Sequence, residues 1–320
     1  MTPSDQLLDA VAAGSHHDPH AVLGIHPDTD GEGGATWVIR ARRPLARSVT
    51  AVFADGTRVP LEHVREGIWE GTRSGALATY ELVTAYADGP DYVADDPYRH
   101  TPTIGELDLH LIAEGRHEEL WRVLGAHERD HDGSHGTAFT VWAPNARAVR
   151  VVGDFNGWDG QGHAMRSMGS SGVWEIFVPG IGEGTTYKFE IRGRNGEWAL
   201  KADPMARYAE VPPATASVVV QSTYSWGDAS WLAERAKTTP LSRPMSVYEL
   251  HLGSWRQGLS YLEATDQIIE YVTAQRFTHV EFLPLAEHPF GGSWGYQVTG
   301  YYAPTSRFGH PDDLRHLIDR

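Results

Sequence analysis

The sequence predicts a mainly β protein: two tandem immunoglobulin-like β-sandwich modules, residues 1–104 and 105–225, followed over 226–320 by a linker and the opening strands of a parallel sheet. Three observations carry this. The chain of 320 residues resembles itself at a spacing of about a hundred residues, the size of a small domain rather than of a solenoid unit. Within each copy, apolar residues alternate with period two over short segments separated by turn sequences. Beyond Tyr224 the alternation gives way to continuous apolar runs with a helical stripe between them.

The duplication rests on ordered matches. "LDAVAAGSHHDPHAVLG" at 8–24 lies against "LHLIAEGRHEELWRVLG" at 109–125, pairing Leu8 with Leu109, Gly14 with Gly115 and Gly24 with Gly125. Ala46–Val49 then meets Ala146–Val149, Gly67–Glu70 meets Gly172–Glu175, Tyr80 meets Tyr187, and Asp96-Pro97 meets Asp203-Pro204. In front of the first copy, Ser4 caps a short helix that Gly14 ends. In the second copy, Phe139 and Val141, Val149 and Val151, Trp174, Ile176 and Val178, and Tyr187, Phe189 and Ile191 each share a face. "APNA", "DGQG", "GIGEG" and "RNGE" are the turns between these strands.

After "TTPLSRP", the run "MSVYELHLGSW" reads as a strand buried on both faces of a parallel sheet, and "THVEFLPL" at 278–285 as a second one. Between them Ser260 and Glu263 make a capping box, with Leu262, Ile268, Ile269 and Val272 as the apolar stripe. In "GHPDDLRHLIDR", Pro311 suits the first helical position, Asp312 and Asp313 suit the N-terminal turn, and Leu314, Leu317 and Ile318 share a face.

A formal net charge of -15 disfavours nucleic acid and anionic membrane surfaces, and a neutral partner is expected. With no cysteine there is no disulfide, thiolate nucleophile or cysteine-held zinc, in keeping with a reducing, cytoplasmic setting. "MTPSDQLLDAVAAG" has neither a basic leader nor a long apolar core, and no apolar run reaches membrane-spanning length, so a soluble, unexported chain is expected.

"FTVWAPNARAVRVVGDFNGWDG" resembles the starch-binding-type β-sandwich module that precedes α-glucan-active barrels. "VYELHLGSW" and "FLPLAEHPFGGSWGYQVTGYYAPTSRFG" resemble the first two strands, and the loop after the second, of glycogen branching enzymes in the α-amylase superfamily. The resemblance covers essentially the whole chain, and two tandem modules, the first opening with "HHDPHAVLG", resemble the long bacterial form. It implies that 226–320 is the truncated start of a (β/α)8 catalytic barrel, which needs about 250 residues where this chain supplies roughly 75 beyond Arg243.

The family is implied to make α-1,6 branches in α-1,4-glucan (glycogen, amylose) by retaining transglycosylation, with no cofactor or metal. Its acids follow the fourth, fifth and seventh barrel strands, which this sequence does not contain, so no catalytic residue is carried over and the chain alone is expected to be inactive. Two other readings remain: a non-catalytic glycogen-binding chain, and one half of a split enzyme whose separate partner chain carries the rest of the barrel. A debranching or trehalose-releasing enzyme is the nearest enzymatic rival, against which the tandem modules and "EHPFGGSWGYQ" favour branching.

The stretch 291–309 packs a Trp, three Tyr, a Phe and five Gly into nineteen residues, suited to flat neutral ligands. By resemblance Tyr296 stacks on the glucose ring at the cleavage point, with Gln297 and Trp294 beside it. The alternative is that Trp294, Tyr296, Tyr301 and Tyr302 pack the loop onto the sheet, and for Tyr301 and Tyr302 this alternative is preferred. Glu281 and Glu287 read as strand or loop anchors. In the second module Trp158, Lys188 and Trp198 match glucan-holding positions, although Ser217 stands where such modules offer an Asn, and partly buried structural tryptophans are the competing reading. The first copy has "FADG" and Glu81 at the corresponding places, so no glucan binding is expected there. "HHDPH" at 16–20 contains competent metal ligands, but its counterpart "RHEELW" keeps only one histidine, which argues against a metal.

Overall fold

Each copy of the repeat begins with one helical turn sequence, and its end is set by glycine. The computed structural model describes residues 3–28 and 35–320. Helix α1 (Asp5–Ala12) starts where the Ser4 side chain accepts from the Leu7 N–H, and α2 (Glu106–Ala113) is its counterpart. Both close in a Schellman pattern: Gly14 (φ +58°) and Gly115 (φ +67°) take the left-handed position, while the N–H groups of Ser15 and Arg116 donate to Ala10 and Leu111 at 2.9 Å. The chain then enters β1 (Gly24–Pro27) or β8 (Gly125–His131). His26 and His127 each bond the carbonyl three residues back, at 2.8 and 2.9 Å. Trp69 and Trp174 donate to the Arg43 and Ala143 carbonyls at 3.0 and 3.1 Å. The duplication therefore persists down to single hydrogen bonds.

The described residues cluster into two units, 1–201 and 202–320. The first unit holds both repeats. In the first repeat β2 (Thr36–Arg42), β3 (Ser48–Phe53), β4 (Arg58–Arg65), β5 (Ile68–Ser74), β6 (Tyr80–Ala85) and β7 (Tyr92–Asp95) join β1 in one antiparallel sheet, ordered β1-β2-β5-β4-β3-β6-β7. It curls over a core that includes Ile39, Val49, Phe53, Leu61, Trp69 and Leu82. In the second repeat β9 (Ser134–Trp142), β10 (Ala148–Gly153), β11 (Arg166–Ser167), β12 (Val173–Pro179), β13 (Thr186–Arg192) and β14 (Trp198–Lys201) fall into two sheets, β11-β12-β9-β8 and β10-β13-β14. Both copies are thus consistent with β-sandwich modules: two separate sheets in the second, and in the first a curled sheet whose halves are joined where β4 pairs β3 through residues 58–61 and β5 through 62–65. Strand β4 makes the difference. Its "RVPLEHVR" bridges β3 and β5, whereas "DFNGWDGQG" in the second copy turns twice, with Gly157 and Trp158 both at positive φ.

In strands β9 and β12 the predicted faces, Phe139 with Val141 and Trp174 with Ile176 and Val178, are buried, and so is the opposite face: residues 136–141 and 173–178 are buried throughout. The second face is covered where the repeats meet. Arg42 donates to the Ala12 carbonyl at 2.7 Å and to Gln161 of the other repeat. Tyr98 donates to the Gly162 carbonyl and accepts from the Ala164 N–H. Glu175, fully buried, accepts from Arg166 at 2.8 Å and from the Thr103 N–H at 2.8 Å, while Arg166 also donates to the His100 carbonyl.

Burial within this seam holds two histidines neutral. His163 is pushed down to about 3 by burial and then by the Arg43 charge, and His20 well below the ordinary range by burial and then by Arg166. An unfolded histidine takes a proton below about pH 6.5. In that range the unfolded state binds more protons than the folded one, so stability is full above pH 6.5 and falls as pH drops towards 3. We expect urea midpoints of the full chain to decline already between pH 6.5 and 5, before the carboxylates titrate. His163→Gln should flatten that part of the profile, and an unchanged slope would contradict this assignment.

The second unit contains β15 (Ser217–Val218), α3 (Ala229–Ala236), β16 (Val247–Leu250), α4 (Leu252–Trp255), α5 (Tyr261–Ala274), β17 (His279–Phe282), β18 (Ala286–Glu287), β19 (Gly300–Pro304) and α6 (Pro311–Asp319). Strands β16 and β17 pair in parallel, Val247 with His279 through Leu250 with Phe282. The Ser260–Glu263 capping box forms at 3.2 and 2.8 Å and starts α5, and Pro311 opens α6. The core joins Leu250 and Leu252 to Tyr261, Ala264, Ile268 and Leu317. Three expectations need correction. Leu262 and Ile318 are exposed, because the buried stripe of α5 runs through Tyr261, Ala264, Thr265 and Ile268, and that of α6 through Pro311 and Leu317. The strands are not buried on both faces: Val247, Glu249, His279 and Glu281 are exposed, since among the described residues only one side of the pair carries this core.

Candidate functional site

The outer face of β13 presents Lys188, Glu190 and Arg192, because the intervening Tyr187 and Phe189 are consumed by the core. Register sets their neighbours. Lys188 lies opposite Val152 and Glu190 opposite Arg150 on β10; Glu190 faces Leu200 and Arg192 faces Trp198 on β14. Arg150 ties this face together. Its guanidinium bonds Glu190 at 3.0 Å, donates to the Gly14 carbonyl at 2.9 Å and to that of Ala13, and sits 3.7 Å from the Trp198 ring centroid. Trp198 is thereby held half-buried with one face spent on a cation.

Trp158 is fixed differently. It takes the left-handed conformation, φ +63°, after the Asp154–Asn156 turn, and its Nε1–H donates to Asp154 at 2.9 Å. Thr186 donates to the other Asp154 oxygen. Hydrogen bonds from Thr186 and then Trp158 hold the Asp154 carboxyl below its ordinary range. The ring stays 41% exposed. Since Gly153 pairs with Tyr187, Trp158 and Lys188 stand at one end of β13, and Trp198, opposite Arg192, at the other. Four residues of strand separate Lys188 from Arg192, about 13 Å at ~3.3 Å per residue. Lys188 and Trp198 thus share one face at that spacing, and Trp158 is held next to the Gly153 end of β10.

The aromatic loop in the second unit is bracketed by β18 and β19, with Ala286 opposite Pro304 and Glu287 opposite Gly300. Glu287 anchors it. Its buried carboxylate accepts from the N–H groups of His288 and Ser306, the Thr305 and Ser306 hydroxyls, and Arg307 at 2.9 Å. Trp294, φ +55°, stacks on His251 with ring centroids 4.5 Å apart and planes 14° from parallel. A Cβ on Gly295 (φ +88°) would lie 2.6 Å from the Pro284 carbonyl, so the turn between Trp294 and Tyr296 accepts no side chain. Tyr296 beyond it is 68% exposed, with Gln297 exposed beside it. Tyr301 and Tyr302, expected to pack the loop down, are instead 75% and 49% exposed, and Ala303 is the buried residue of β19.

Other sequence candidates resolve into structural roles. Ser217 is buried and its hydroxyl accepts from the Asp203 N–H at 3.0 Å, so it anchors a turn instead of offering a surface ligand. In "HHDPH", His16 accepts from the Asp18 N–H at 3.1 Å, and His117 does the same for Glu119 in the second copy, while His20 packs edge-on against Tyr98 at 5.0 Å. Glu281 lies on an exposed strand face, separate from the Glu287 anchor. Sequence reasoning passed over Arg150 and Asp154, which orient the two tryptophans. The one available signal was that Arg150 alternates outward from Val149 and Val151, an arginine among β10 valines.

Among known proteins, residues 4–98 match the family model described as alpha-1,4-glucan branching enzyme GlgB, N-terminal domain, and residues 123–206 match carbohydrate-binding module 48 (isoamylase N-terminal domain). The chain is 61% identical over 317 residues to a 1,4-alpha-glucan branching enzyme GlgB from Leifsonia xyli subsp. xyli, covering 99% of this chain and 43% of that protein. It is 60% identical to a protein of the same description from Thermobifida fusca, covering 98% of this chain and 42% of the relative. The chain thus spans about two-fifths of the length of the curated relatives it matches. A solved putative alpha amylase from Salmonella typhimurium aligns with a TM-score of 0.49 at 26% identity, covering 62% of this chain and 30% of that one.

Proposed function

We propose that this chain, homologous over nearly its whole length to the N-terminal part of 1,4-alpha-glucan branching enzymes, holds α-1,4-glucan for the formation of α-1,6 branches by retaining transglycosylation. The observation that carries the reading is the β13 row: Trp158 and Trp198 at its two ends, each fixed by a named partner, with Lys188 half-buried at one end. Aromatic faces suit the apolar C–H surface of a glucose ring, and hydrogen-bonding groups along the row suit its hydroxyl edge. Residues 1–104 and 105–225 are read as the two modules, the first a support and the second the glucan holder.

Residues 226–320 are read as the start of a (β/α)8 barrel, on the strength of the parallel β16–α5–β17 unit. In that reading Trp294, Tyr296 and Gln297 lie in the loop after the second strand, and Tyr296 offers its exposed ring to a sugar. Retaining transfer requires two carboxyl groups about 5–5.5 Å apart across the bond. Glu287, the buried carboxylate nearest this loop, is committed to five donors, which supports a holding role for the loop. Retention of the full chain on glycogen is the test: Trp158→Ala and Trp198→Ala should each weaken it about tenfold, and retention unchanged in both would remove this surface from the account.

A further inference from the structure

The seam between the two repeats leaves a cleft of ≈ 400 Å³, within the roughly 300–1,000 Å³ of small-molecule sites. Arg43, Tyr86 and Tyr92 reach it from the first repeat, and Phe155, Asp159 and His163 from the second. None of these belongs to the β13 row. The Nε of Arg43 is buried without a hydrogen-bond partner, although the same guanidinium is held by donation to the Arg42 carbonyl at 2.9 Å. The Nε itself is closed off from solvent, so Arg43 meets the cleft through its other atoms.

The lining limits what that occupant can be. An anion would meet the Asp159 carboxylate, while Asp95 is already paired with Arg99; a cation would meet Arg42 and Arg43, and a wholly apolar molecule would take water from these groups without replacing its hydrogen bonds. Donors and acceptors of both kinds, with Tyr86, Tyr92 and Phe155 among them, match a neutral polyhydroxylated ring system. We propose that this cleft is a second carbohydrate site, taking a short neutral oligosaccharide of α-1,4-linked glucose between the repeats. Only the identity of the sugar rests on the reading of the β13 row; the site itself stands on the cleft and its lining.

Calorimetric titration of the full chain with maltotriose tests it. Two sites are expected. Tyr92→Ala, at an exposed ring whose loss spares the core, and Arg43→Gln should each weaken one of them by about tenfold or more, leaving the other intact, and Trp158→Ala with Trp198→Ala should do the converse. A single site lost with the tryptophans and untouched by Tyr92→Ala and Arg43→Gln overturns the cleft proposal and leaves the β13 reading in place. A site lost with Tyr92 and Arg43 but indifferent to the tryptophans supports the cleft and removes the β13 row. Displacement of the cleft-bound sugar by inorganic phosphate would identify an anion site and overturn the proposal.

Discussion

Replacing Glu175 with alanine is expected to lower the unfolding free energy of the unit formed by the two repeats by about 3–5 kcal/mol. The carboxylate is fully buried and has four donors: two nitrogens of Arg166, the Thr103 N–H and the Thr103 hydroxyl. Truncation leaves the Arg166 guanidinium, itself almost fully buried, with only the His100 carbonyl. It also releases the segment joining the repeats, because Thr103 loses both of its bonds. For a unit of this size each kcal/mol is about 2–4 °C in melting temperature, so a fall on the order of 10 °C is predicted. Glu175→Gln keeps an acceptor for Thr103 and should lose less. Arg166→Met with Glu175→Leu removes both charges and should recover much of the loss. A Glu175→Ala melt within a degree or two of the parent would show that the seam is not held by this pair.

Glu287→Ala should be the second large effect, about 2–3 kcal/mol and confined to the second unit. The lower figure reflects Arg307, which is partly exposed and can turn to water when its partner is removed. Five donors lose their acceptor at once, and both ends of the aromatic loop come loose, since the 288 and 306 N–H groups flank it. The parallel β16–β17 pair has its own core and should persist. Limited proteolysis is therefore expected to cut near Phe290 and Tyr296 at least tenfold faster in the variant, with little change elsewhere. Uniformly faster cleavage across the unit would contradict the anchoring role.

What was legible in the sequence was what the backbone demands locally. Gly14 and Gly115 recur because a Schellman turn needs the left-handed position, and Gly24 recurs as Gly125 because each opens its strand at positive φ. Ser260 and Glu263, or Pro311 and Asp313, sit at fixed offsets that a helix start imposes. What stayed hidden depends on partners far apart in the chain. Arg150 meets Gly14 across 136 residues and Thr103 meets Glu175 across 72, and neither pairing leaves a periodic trace. The seam leaves no periodic trace, so the sequence carries no signal for the second buried face of β9 and β12 or for the cleft lined by Arg43, Tyr92 and Phe155. The row of Trp158, Lys188 and Trp198 could be named from motifs, but its length, and the Arg150 and Asp154 partners that set both rings, came only with the register of β10, β13 and β14.

Whether the β13 row holds glucan is decided by the affinity of the full chain for maltoheptaose, a glucan long enough to lie along β13, in the parent and in Trp158→Ala combined with Trp198→Ala. The double variant, with an unchanged melting temperature, is expected to bind at this site about a hundredfold more weakly, two tenfold losses from two separated rings. Equal affinity in the two proteins would contradict that expectation.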